Sequence, residues 1–488
     1  MQWRGPHHGW PTSKRGSTWD RTEVEPRRLP HAFRESVKLA PSRYRLPKRL
    51  VLALVAAIGI LGSAGTMIAL AVSADGRPDQ EPLPLPPVPP SGPVVRLAGS
   101  GFVASKVVPV LATAWAASPK PHGIRVETQT VSRASGLIAL LRADADLWIT
   151  AGPAEEADIE AARGAGFAKV PPLAQWRRPG SEYQIGTAAL VLLANRDNPV
   201  SALSPVQASK LFTGQFTAWA QLGGRSNMPV GRVVLAAERE ETGWFCAFYL
   251  GQADTGRCLR SVGLTIEPPM DGTAPLIEKV AESPSVIGYA EFADRGVAKA
   301  IAFGTDCGHP IAPTVFRIKA GDYPATQRLY LYTVPGRATR SPVKAFLDFA
   351  FGPGGQAALS AHGLVDTTPV LDDETTADGQ RLSLTFRFPD GSAALDETSE
   401  GDLPRLIAWA RQPSLGKAHI ALIGHADTAE AGSLALDRAR AVQARLLKAG
   451  GKNVTATGMG AAEPIACLTD SSTAALNRRV EVWVRTGR

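Results

Sequence analysis

Apolar positions fall into three regimes along this chain. From Leu50 to Val72 they run on for 23 residues without a charge. A helix of that length spans about 35 Å, enough for a hydrocarbon core of about 30 Å. Over residues 94–371, short apolar runs alternate with helical spacing. Val94–Ala98, Ala145–Thr150, Ala188–Ala194 and Arg232–Ala236 read as strands, and this alternation predicts α/β layers. The stretch exceeds one ordinary core, so two lobes are expected. Over 380–488 the order is strand (Leu382–Phe388), helix (Glu400–Arg411), strand (Ile420–Gly424), helix (Ser433–Ala449), then strands Val454–Met459 and Arg479–Val484. In the last strand Val480, Val482 and Val484 alternate with Glu481, Trp483 and Arg485, giving two unlike faces. This βαβαββ pattern predicts a compact α+β domain.

Composition shifts mark the joints. Residues 1–49 carry twelve Lys/Arg against Asp20, Glu23, Glu25 and Glu35, and so hold the whole net charge of +8. The first 48 are rich in Pro, Arg, His and Ser without an apolar period, which predicts a disordered basic tail. The folded remainder is neutral overall and shows no basic stripe, which argues against a nucleic-acid partner. Arg43, Arg45, Lys48 and Arg49 flank the apolar run on its N-terminal side. They predict a cytoplasmic N-terminus and export of everything after Asp75. The run 50–72 reads as a single-pass inner-membrane anchor; a signal peptide cleaved before Asp75 is the other reading. Residues 73–93 form a linker with eight prolines between Asp75 and Pro93, a semi-rigid spacer. Residues 372–379 are acidic and polar, and read as a second linker.

The four cysteines, Cys246, Cys258, Cys307 and Cys467, form neither a CxxC pair nor a His/Cys cluster, so no metal site is expected. In an oxidising compartment they suit disulfides. Cys246 and Cys258 are close enough for a local bridge; Cys307 with Cys467 requires two domains to touch.

Gly424-His425-Ala426-Asp427 ends an apolar strand and precedes the helix with Leu436-Asp437-Arg438-Ala439-Arg440-Ala441. Near the end stands Asn477-Arg478-Arg479-Val480. With Phe388 and the Ser392–Leu395 turn, these resemble the OmpA-like peptidoglycan-binding domain over nearly its full length. The resemblance implies binding of diaminopimelate in the stem peptide, whose ammonium and carboxylate share one carbon. A receptor then needs an anion beside a cation. By that resemblance Asp427 takes the ammonium and Arg440 the carboxylate, with Asn477 and Arg478 lining the same region. His425 reads as a hydrogen-bonded neighbour rather than a ligand. Ala426 stands where the family usually has Thr, and the loop between Asp427 and Arg440 is short.

The segments "LLANRDNPVSALSPVQASKLFTGQFTAWAQLGG", "SVIGYAEF" and "YPATQRLYLYT" resemble periplasmic phosphate-binding proteins of the PstS type, class II solute-binding proteins. The resemblance implies a two-lobed domain over 94–371 closing on an oxyanion, with crossovers near Gln184–Thr187 and after Tyr289. It nominates Ser100 with the Gly101 amide, Ser135-Gly136, Asp146 and Thr242-Gly243 as phosphate ligands. Where the family carries an arginine this chain has Glu238, leaving Arg239 as the nearby cation. A carboxylate there raises the cost of binding an anion. Gly99-Ser100-Gly101 lacks the elbow of a nucleophilic serine, and no histidine is placed to activate it. Catalysis is not expected, nor a cofactor. The whole reads as a non-enzymatic envelope protein that ties a solute-binding domain to peptidoglycan from the inner membrane. The alternative is the substrate-binding component of phosphate import.

Overall fold

The computed structural model describes residues 93–488 apart from 119–122, 224–227, 306–309, 377–378, 413–417, 431, 467–474 and 486–488. The basic tail, the apolar run 50–72, Cys307 and Cys467 lie outside the described residues. Among those described, no helix is long and apolar enough to cross a membrane. The chain divides into two units, Met1–Val88 and Pro89–Arg488, and the second holds everything below.

Its strands are β1 (Val94–Gly99), β2 (Arg125–Thr130), β3 (Leu147–Ala151), β4 (Glu182–Ala194), β5 (Ala202–Leu203), β6 (Gly231–Arg232), β7 (Val286–Glu291), β8 (Lys299–Ala300), β9 (Ala302–Phe303), β10 (Thr326–Tyr332), β11 (Leu371–Thr376), β12 (Gly379–Arg387), β13 (His419–Gly424), β14 (Val454–Gly458) and β15 (Arg479–Arg485). One sheet runs β2-β1-β3-β10-β4-β7-β6, with β8 added on β4. Strand β4 ties the two lobes together. Its first half pairs with β10, in the lobe of β1 and β3, and its second half pairs with β7. The run from Ala188 to Ala194 is buried throughout, as befits a strand covered on both faces. The chain thus crosses at Ala189–Leu190, slightly beyond the expected point. It returns at Ala325, whose carbonyl accepts from Leu190 N, rather than after Tyr289. Tyr289 sits wholly inside the second lobe, stacked on Phe245 with ring centroids 4.1 Å apart.

Cys246 and Cys258 are joined, tying the helix Glu240–Leu250 to Thr255–Ser261. The local bridge expected from spacing is present.

The C-terminal sheet has five strands in the order β11-β12-β15-β13-β14. The segment 372–379, expected as a linker, is mostly strand: β11 pairs antiparallel with β12. Alternation in β15 packs Val480, Val482 and Val484 into the core with Leu406, Leu422 and Val442. Its other face is also covered, since Glu481 is buried beside Arg479.

This domain bears on both lobes. On the first lobe, Arg328 of β10 forms a two-pronged pair with Asp402, at 3.0 and 2.6 Å. Arg405 adds a third bond to Asp402 at 2.6 Å. On the second lobe, Asp322 adjoins Tyr323 of that lobe's core. It accepts from Arg381 at 2.6 Å and Arg387 at 3.1 Å, both on β12. Asp322 and Asp402 are each 2% exposed. Buried charges of this kind are tolerated only when paired and hydrogen-bonded.

Candidate functional sites: a self-capped cleft and a paired Asp–Arg clamp

Parallel strands β1 and β3 end together, and their C-terminal ends form one wall of a cleft of 440 Å³. Gly99 passes so close to β3 that a Cβ there would lie 2.0 Å from the Ile149 carbonyl oxygen. The backbone then turns directly into a helical segment, leaving the amides of Gly101 and Phe102 without partners in their own helix. Such amides favour an anion. Here a side chain supplies one. Glu240, from the other lobe, accepts from Gly101 N at 3.0 Å and from Phe102 N at 2.7 Å. The place an oxyanion would occupy is filled by the protein's own carboxylate.

The remaining expected ligands separate. Ser100 and Gly243 do line the cleft, together with Ser132, Arg133, Phe102 and Trp244. Ser100 is 9% exposed, and its Oγ has no hydrogen-bond partner among the described residues. Ser135 instead serves Ser132, which caps the helix Arg133–Arg142 by accepting from Ser135 N at 3.2 Å. Gly136 is a packing residue, since a Cβ would meet the Ala98 carbonyl oxygen at 2.8 Å. Thr242 is fully buried, donating to the Ala236 carbonyl at 2.8 Å beside the Tyr289 hydroxyl. Asp146 stands at the opposite end of the sheet. It precedes β3, accepts from Arg96 N at 2.9 Å and pairs with Arg340 at 2.6 Å. Arg239 is bound to Glu241 at 2.7 Å rather than free for a ligand. Glu238 is exposed and does not line the cleft. The decisive acid is Glu240, two residues on.

Two further groups complete the cleft. Arg133 is held by Asp158 at 2.7 and 2.8 Å and by the Ala151 carbonyl at 2.7 Å. Glu291, on β7, is buried; burial raises its carboxyl pKa to about 8, although the amides of Ala293 and Ala189 and the Lys106 charge act against the shift. Lys106 itself pairs with Asp294 at 2.5 Å.

In the C-terminal domain, β13 ends at Gly424, and Asp427 lies in the loop that follows. The cation beside it is Arg478, at 3.6 Å. Arg440 is elsewhere: it is 63% exposed, with Asp437 at 3.9 Å. The reason is helical geometry, because residues two apart on a helix diverge by about 200°. Arg438, not Arg440, faces the Asp427 loop. It is fully buried, however, and paired with Glu430. Burial pushes the Glu430 carboxyl up, but bonds from Arg438 and from the amides of Asp427 and Gly391 outweigh it and bring the pKa to about 2. Asn477 is a structural pin: its Oδ1 accepts from Ile465 N at 2.9 Å and Ala466 N at 3.1 Å. His425, as expected, is an internal neighbour. Burial lowers its pKa to about 4, and its Nδ1 lies 3.1 Å from the Ala462 carbonyl oxygen. Asp427 with Arg478 leaves an anion and a cation side by side, both mostly buried, in an otherwise internally satisfied loop.

Two family models match this chain: a PBP superfamily domain over residues 86–353 and the OmpA family over residues 387–478. The phosphate-binding protein PstS of Bacillus subtilis (strain 168) is 25% identical over 198 residues, which is 40% of this chain and 60% of that protein. The chain therefore spans about three fifths of the length of that curated relative. Among solved structures, an ABC-type phosphate transport receptor from Vibrio cholerae is 18% identical, with a TM-score of 0.42. The match covers 56% of this chain and 99% of that one. The C-terminal domain of Helicobacter pylori MotB is 24% identical with a TM-score of 0.20, covering 21% of this chain and 84% of that one.

Proposed function

The chain belongs to the PBP superfamily, and from that premise we propose that it holds a solute-binding-type domain against the cell wall while anchored in the inner membrane. The observation that carries the wall assignment is the Asp427–Arg478 pair, an anion beside a cation. That is the complement of an amino-acid head group such as the free end of diaminopimelate. The test is co-sedimentation of the full-length protein with diaminopimelate-type peptidoglycan. Capture that disappears on muramyl-peptide stripping supports the reading; no capture overturns it.

Topology rests on the apolar run 50–72 and the arginines and lysines before it. Full-length protein should stay with membranes through an alkaline carbonate wash. Release of a soluble chain beginning near Asp75 would replace the anchor with a signal peptide.

A role in phosphate import is disfavoured by Glu240. Its carboxylate takes both amides that an oxyanion would use, and like charge in the same space adds repulsion. Wild-type protein should therefore give no saturable heat with inorganic phosphate. Glu240→Ala frees the two amides and leaves them beside the Ser100 hydroxyl, and it should gain phosphate affinity by about tenfold or more. Phosphate binding by the wild type, unchanged in Glu240→Ala, would return the protein to the transport class.

A further inference from the structure

Acidic side chains around the cleft outnumber basic ones. Each basic group there already has its own acid: Arg133 has Asp158, Arg239 has Glu241, and Lys106 has Asp294. Among the described residues Glu240 and Glu291 have no basic partner, and both accept from backbone amides. Carboxylate oxygens retain lone pairs after one such bond. Ser100, which also lines the cleft and is nine-tenths buried, has a buried hydroxyl without a partner among the described residues. Phe102 and Trp244 supply aromatic surface, and Val131, Ala188 and Ala247 make the rest of the wall largely apolar.

We propose that the cleft binds a protonated amine carried on an apolar body. An ammonium has three N–H donors to satisfy, and Glu240, Glu291, Ser100 and Gln327 all line the cleft with side-chain oxygens that can accept. The body lies against Phe102 and Trp244, whose ring faces also favour a nearby cation. An anion finds neither a free cation nor a free amide pair. The proposal rests on the reading of the cleft as closed to anions, and it names the class of ligand that takes the anion's place.

A proton accompanies binding. Burial raises the Glu291 carboxyl pKa to about 8, with the charges of Asp294 and Lys106 acting on it in opposite directions, while Glu240 and Glu241 line the same cleft. An ammonium beside it lowers its pKa and expels up to about one proton.

The experiment is calorimetry on the full-length protein with phenethylamine and hexylamine, set against 2-phenylethanol and hexan-1-ol, which keep the body and lose the charge. Both amines should bind saturably and the alcohols about tenfold more weakly or not at all. In buffers of different ionisation heat, the amine enthalpies should differ by the heat of the released proton. Glu240→Gln and Ser100→Ala, checked for intact folding by circular dichroism, should each weaken the amines and leave the alcohols unaffected. Amines that bind no better than alcohols, or not at all, overturn the proposal. If phosphate also fails to bind, the cleft's closure to anions still stands; if phosphate binds the wild type, both ideas fall.

Discussion

Asp427→Ala and Arg478→Ala should each leave the protein in the supernatant when diaminopimelate-type peptidoglycan is pelleted, whereas Arg440→Ala should sediment like wild type. Each of the first two changes removes half of a clamp for a zwitterion. The half that remains then faces a like-charged part of the ligand without its counterion. Truncating one partner of such a pair costs about 2–5 kcal/mol, enough to take a modest affinity below what sedimentation detects. Arg440 is mostly exposed and points away from Asp427, so its loss removes nothing from the clamp. Arg438→Ala is uninformative about binding, because it strands Glu430 in the interior and threatens the fold. Wild-type-like pelleting of Asp427→Ala and Arg478→Ala, or loss of pelleting in Arg440→Ala alone, would show that the wall is gripped elsewhere.

The second large effect is expected at the joint between the domains. Asp402→Asn should lower unfolding free energy by about 3 kcal/mol, because it leaves Arg328, whose side chain is three-quarters buried, without a counter-charge. Burial pushes the Asp402 carboxyl upward, but Arg328 and Arg405 more than compensate and hold it below its ordinary value. Glu397→Gln disrupts a pair with Arg177 whose carboxylate is 65% exposed, and it should change little. Denaturant unfolding of the two variants side by side decides the point; equal stability would show that the joint is held by something other than its buried charges. Buried carboxylates held by arginines also set the acid behaviour. Groups with lowered native pKa values stabilise fully above their unfolded values, near 4.5 for Glu430. That stabilisation is lost as pH falls through the native values, about 2 for Glu430.

Much of this architecture was legible because it is written in local pattern. The run Ala188–Ala194 is apolar at every position, and the alternation in β15 has period two; each announces its strand without help from the rest of the chain. The family motifs lay in the right order for both domains. What escaped was long-range. Glu240 stands in the run Glu238-Arg239-Glu240-Glu241, and only the fold decides which acid meets amides 139 residues away. Two misassignments had signals that were available. Asp146 precedes its strand, and ligands in such sheets gather beyond the carboxyl ends, so it belongs to the wrong edge. Arg440 breaks the helical spacing of Ala435, Ala439, Val442 and Leu446, which are buried with Arg438; a helical wheel places it on the outside. The segment 372–379 looked like a linker because β11 is an edge strand with acidic, exposed positions, a composition that edge strands and linkers share.

The C-terminal domain grips both lobes, through Asp402 on one and Asp322 on the other, and this determines how the molecule would carry a load. A pull applied between the start of β1 and the Asp427 clamp has a short hydrogen-bonded route. It passes from β1 to β3, from β3 to β10, and across Arg328 to Asp402. Every strand on that route belongs to the first lobe. The second lobe hangs beside the line of force, strapped to the same domain by Arg381 and Arg387. Tension would thus be borne by a sheet ladder and a largely buried ion pair, while the second lobe stays slack.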